Sequence, residues 1–143
     1  MNKIITVCLS LLLSFSLFGC SSSVEGIAED FKITTDQTSE IFTEKEQMNF
    51  IETFKQGFVK EGLQVTLMSI SYAGDEQQKM NIDYYKDIHQ IDPAKKDVIL
   101  LNVVFKTGHN NTIEALNPDT EYAWIYLVQM NEDGTLTILE NGY

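Results

Sequence analysis

The sequence predicts an α+β domain: one long amphipathic helix packed on one face of an antiparallel, hairpin-linked sheet of about four to five strands. Three observations predict it. Met48, Ile51, Phe54 and Phe58 recur at helical spacing. Alternating, β-branched runs then follow in "LQVTLMSISYAG", "DVILLNVVFKTG" and "TEYAWIYLVQM". The last of these leads through "NEDG" into "TLTILE", a hairpin pattern with glycine where a positive φ is wanted.

The elements are justified in chain order. Asn2 and Lys3 give a short, positively charged start, and Ile4 to Phe18 is almost wholly apolar. A run of about 15 residues suits a secretory leader and falls short of the ~20 that cross a bilayer as a helix. It ends in Leu17-Phe18-Gly19-Cys20, which resembles the bacterial lipobox. That resemblance implies a signal peptide over residues 1–19, cleavage between Gly19 and Cys20, and a diacylglycerol on the Cys20 thiol. Cys8 would leave with the leader, so Cys20 would be the only cysteine of the mature chain, and attachment accounts for it better than a disulfide. Two acyl chains, at roughly 0.8 kcal/mol per buried methylene, anchor firmly where one binds reversibly.

Residues 20–40 read as the acylated cysteine and a spacer, loosely ordered to about Asp36, because Ser, Thr, Asp and Glu dominate and periodicity is weak. Val24, Ile27 and Phe31 allow one short helix within it. The domain is expected over residues 41–143. Thr43 and Glu46 form a capping box, and the stripe, widened by Phe50 and Val59, places a helix over about residues 44–61 with Gly62 as its stop.

The first strand run ends in a Gly74-Asp75 turn, and "KMNIDYYKDI" (79–88) is ambiguous between a strand and a short helix. In the next run Ile99, Leu101, Val103 and Phe105 share a side. In residues 120–130, Ala123, Ile125 and Leu127 share one face and are assigned to the core, while Tyr122, Trp124 and Tyr126 share the other.

The helix, the curved sheet, the aromatic strand "YAWIYLVQ" and the closing "ILENGY" resemble small exported bacterial proteins of the nuclear-transport-factor-2-like (cystatin-like) superfamily. The resemblance covers about residues 43–143 and implies a cone-shaped fold. That fold serves enzymes, ligand carriers and dimer scaffolds alike, so it implies no single function.

Charge excludes some partners. The chain carries 21 acidic residues against ten lysines, has no arginine, and has a net charge of −11. Nucleic acid and anionic headgroups would repel such a surface. Catalytic signatures are sparse. His89 and His109 are the only histidines, each in a polar stretch that reads as solvated. No metal-ligand set, calcium loop, phosphate loop or nucleophile elbow is present, so no cofactor and no enzyme are expected.

The expected function is therefore a binding or interaction module held at the cell membrane by Cys20 and facing the extracytoplasmic side. A second copy or another envelope protein would be its partner. The aromatic row Tyr122, Trp124 and Tyr126 is the candidate surface, since amphipathic rings suit interfaces and apolar ligands. The alternative is a carrier that holds a small apolar ligand inside the cone.

Overall fold

In the computed structural model, which describes residues 26–60 and 64–142, five strands form one open sheet in the order β1-β2-β3-β4-β5. They are β1 (Ile27–Thr34), β2 (Val65–Tyr72), β3 (Val98–Thr107), β4 (Glu121–Met130) and β5 (Leu136–Gly142). Helix α1 (Glu44–Lys60) lies between β1 and β2, and helix α2 (Asp75–His89) between β2 and β3, followed by a single 3₁₀ turn, Pro93–Lys95. The architecture is α+β, as the sequence predicts, with two helices packed on a mixed sheet.

Two features differ from expectation. β1 occupies part of the span read as a spacer, and it pairs in parallel with β2, so the sheet is not wholly antiparallel. Its half-exposed residues mark an edge strand, which hides it from any hydrophobic pattern. The ambiguous segment 79–88 is the body of α2, so a second helix joins α1. Gly62 and the leader with Gly19 and Cys20 lie outside the described residues.

α1 begins as its capping box requires. The Thr43 amide donates to Glu46 Oε2 at 2.7 Å and the Glu46 amide to Thr43 Oγ1 at 3.3 Å. The bonds that Thr43 donates to this carboxyl from its amide and from its hydroxyl, the latter at 2.8 Å, hold Glu46 below its ordinary range. Phe50, Ile51, Phe54 and Phe58 are buried. The stripe sits slightly rotated from expectation: Met48 is exposed, and Gln47 beside it is fully buried. The Gln47 carboxamide explains this. Its Oε1 accepts the Asp36 amide at 2.7 Å, and its Nε2 donates to the Asp36 and Phe42 carbonyls at 2.8 and 3.0 Å. A buried amide with its partners in place costs little, and here it fastens the loop before α1 to the helix.

β3 is the central strand, and Val98 to Leu101, Val103 and Phe105 are all buried. Its alternation splits the core in two. Ile99, Leu101, Val103 and Phe105 join the α1 phenylalanines, Leu67, Ile70 and Val128 on one face. Val98 and Leu100 join Ile82, Ile91 and Leu127 on the other, under α2. A near-continuous apolar run such as "VILLNVV" is what a strand covered on both faces carries.

At the end of β2 the chain turns through Gly74, whose φ of 92° suits a residue without Cβ. β2 pairs with β3 as far as Leu101, and the Ala73 amide bonds the Leu100 carbonyl at 3.0 Å. Beyond that point Gln78 of α2 continues the ladder. Its Nε2 donates to the Val98 carbonyl at 2.8 Å and its Oε1 accepts the Leu100 amide at 2.7 Å. One side-chain amide thus stands in for a peptide unit of the missing strand. The β4–β5 hairpin turns at Gly134, with φ 80°, as "NEDG" predicts.

Candidate functional site

The aromatic row of β4 does not form an outer surface. Tyr126 is buried, and its ring lies 5.1 Å from that of Phe54 on α1. Trp124 and Tyr122 are half-buried and pack on the same core, with Phe105 between them at 5.3 and 5.7 Å. The tyrosine hydroxyl of residue 122 accepts the Asn117 amide at 2.7 Å. The three rings belong to the packing beneath α1, which corrects the assignment of Ala123, Ile125 and Leu127 to the main core. Alternation separates the two faces of a strand but cannot say which one a helix will cover.

The exposed apolar surface is on α2 instead. Met80, Tyr84 and Ile88 stand four residues apart and are 61, 69 and 61% exposed. At that spacing they form one row along the helix. The Tyr84 ring rests edge-on against Tyr85 at 4.7 Å. Met48 and Ile138, the other exposed large apolar residues among those described, are on separate elements. Sequence reasoning missed this row because the buried side of α2 has little apolar signal. Gln78, Ile82, Tyr85 and His89 face the sheet, so the helix reads as apolar on the wrong side. Beside the exposed row stand the carboxylates of Glu76, Asp83 and Asp87, all at the surface.

α2 is held firmly at both ends. Asp75 at its start accepts Ser39 Oγ at 2.6 Å, the Glu40 amide at 2.8 Å and the Tyr72 hydroxyl at 2.9 Å. Burial pushes the Asp75 carboxyl up, but the bonds from Ser39, Glu40 and Tyr72 outweigh it and hold the group below the usual carboxylate range. Burial, reinforced by the Asp75 carboxylate, raises the Tyr72 phenol well above its ordinary value. At the far end His89 Nε2 lies 2.8 Å from Glu140 Oε1 on β5. His89 is thus a half-buried clasp. His109 is the solvated one, with Nδ1 2.7 Å from Asp119 Oδ2, and the bond it donates to that carboxylate raises its pKa.

A cleft of about 240 Å³ opens beside α2, between Lys79, Ile82 and Asp83 on the helix, the chain from Ile91 to Val98, and Phe42. Among the described residues no group of three or more His, Cys, Asp or Glu converges as a metal centre would need, and no helix is long and apolar enough to cross a membrane. Comparison of the chain with protein-family models, curated proteins and solved structures finds no match.

Proposed function

We propose that this chain is a lipid-tethered, extracytoplasmic interaction module of a bacterial envelope, and that it docks a partner protein on the outer face of α2. The observation that carries the reading is the exposed row Met80, Tyr84 and Ile88 on a helix anchored at both ends. A rigid helix presenting apolar side chains four residues apart is the geometry of helix-in-groove or helix-on-helix recognition. Charge selects the occupant. Glu76, Asp83 and Asp87 flank the row in a chain of net charge −11, so the partner segment combines apolar side chains with lysine or arginine. A second copy brings the same acids and is less suited.

The tether rests on Leu17-Phe18-Gly19-Cys20, and kinship with the nuclear-transport-factor-2-like superfamily rests on the sequence, through the aromatic run "YAWIYLVQ" and the closing "ILENGY". The proposal includes no catalysis. A carrier using a cone interior is less well supported, because Phe50, Ile51, Phe54 and Phe58 fill the α1 side of the sheet.

Binding of a synthetic amphipathic helix of leucine and lysine tests the reading. It should bind the protein, weaken as salt rises, and lose at least about tenfold in affinity with Tyr84→Ser or with Asp83→Lys plus Asp87→Lys. Equal binding to all variants, or a dimer that Tyr84→Ser dissolves, would overturn it.

A further inference from the structure

The flank of α2 that faces β5 carries one further inference. It rests on the docking reading above and adds an anchor point to it. A socket of about 120 Å³ opens there. Asn81 and Tyr85 of α2 form one wall, Ile125 and Gly142 the other, and Leu100 and Leu127 lie beneath. The socket adjoins the exposed row, because the Tyr85 and Tyr84 rings meet edge-on with centroids 4.7 Å apart. Two observations mark it as kept open. Ile125 belongs to the α2 side of the sheet yet is only half-buried. Its cross-strand neighbours are Asn102, which is exposed, and Gly142, which has no side chain. Gly142 itself has neither of the usual reasons to be glycine. Its φ lies outside the left-handed region, and a Cβ built on it would meet nothing within 4 Å. Glycine weakens a strand and often marks the close approach of another group. Paired residues share a face, so a side chain at 142 would stand beside Ile125 and fill the socket.

Size and chemistry define the occupant. The volume is far below the ~300–1,000 Å³ of sites that enclose a drug-sized ligand. It is near the ~150 Å³ of a cavity that holds one benzene, so one side chain fits. The floor is aliphatic. Asn141 and Glu140, the latter clasped to His89 at 2.8 Å, stand at the rim, and no basic residue lines the socket among those described. An acidic segment would be repelled here, as along the rest of α2, whereas an aliphatic residue flanked by lysines is not. We propose that the socket takes one aliphatic side chain, leucine in size, from the partner segment that docks along Met80, Tyr84 and Ile88, and that Gly142 stays bare to admit it. A single side chain seated in a pocket beside flatter contacts is how interfaces concentrate affinity.

The socket is tested first without a partner, on the full chain. Xenon enters small apolar spaces, so under xenon pressure the Ile125 methyl signals should shift saturably, and Gly142→Val should abolish the shift. Valine suits a strand and no atom stands in its way, so the melting temperature should stay unchanged or rise. Gly142→Val should then weaken the leucine–lysine helix at least about tenfold, with Gly142→Ala in between. One leucine of that peptide, replaced by alanine, should lose about tenfold against the parent and almost nothing against Gly142→Val. No xenon shift at Ile125 would overturn the socket. So would a Gly142→Val protein that binds the helix as the parent does while Tyr84→Ser does not, and the docking row would then stand alone. A xenon shift in a protein that binds no helix would overturn the docking reading and, with it, the occupant proposed here.

Discussion

The two faces of this sheet are built differently. Under α1, five phenylalanines and two tyrosines interlock with Ile99, Leu101 and Val103, and their rings meet at 5.1–6.0 Å. Under α2 the buried set is small, namely Ile82, Ile91, Val98, Leu100 and Leu127, and polar anchors at the ends do much of the holding. The first face is a core that leaves nothing for a partner. The second leaves a helix with an apolar outer row and a cleft at its side. Stability and recognition are thus divided between the two sides of one sheet.

That contrast can be broken by experiment. The largest effect is expected at Phe54→Ala, which empties the centre of the α1 side and should cost about 3–5 kcal/mol in urea unfolding. Ile82→Ala, next to the cleft, should cost about 2 kcal/mol, near the low end for aliphatic truncation. Reversal of that order would mean that the α2 side is the real core.

Each helix also carries one buried glutamine bound to backbone, and this pairing sharpens the comparison. Gln47→Leu strands the Asp36 amide and two carbonyls, and Gln78→Leu strands the Val98 carbonyl and the Leu100 amide. About 2 kcal/mol is expected for either, from unsatisfied buried groups. Hydrogen exchange should place the opening at residues 36–42 in the first variant and at the start of β3 in the second.

Asp75 comes next. Its carboxyl is held below the usual range in the folded state. Its contribution is therefore present above the unfolded value of about 3.9 and is lost as pH falls through the lower folded one. Asp75→Asn should lower stability by about 1–2 kcal/mol at neutral pH, and the gap to the parent should narrow as pH falls below about 3.9. A gap that persists in acid would assign the loss to packing instead of charge. The smallest effect is expected at Tyr84→Ser, within about 0.5 kcal/mol by thermal melting, because that ring serves the surface.

How much of this was legible in the chain depends on the range of the interaction concerned. The capping box at Thr43 and Glu46, the α1 stripe and the Gly134 turn are local, and all three read directly. Gln47 and Met48 did not, because a scale of apolarity cannot see the loop at Asp36 and Phe42 that folds over one and leaves the other in water. β1 was missed because "IAEDFKIT" is an edge strand whose partner β2 follows only after α1. α2 was ambiguous for a related reason. Its sheet-facing side carries Gln78 and His89 where a pattern would want leucine. The candidate surface moved from Tyr122, Trp124 and Tyr126 to Met80, Tyr84 and Ile88 because alternation is symmetric, and burial breaks the symmetry only when a helix is laid down.

By itself, then, the sequence determined that the domain is α+β, that residues 97–108 hold its strongest strand run, that its composition is acidic, and where α1 starts. Those properties depend on neighbours a few residues apart and on composition. Which face α1 covers and which helix faces outward were decided only by the tertiary structure. They depend on contacts between residues far apart in the chain, where a side chain's environment is set by whatever the fold brings against it.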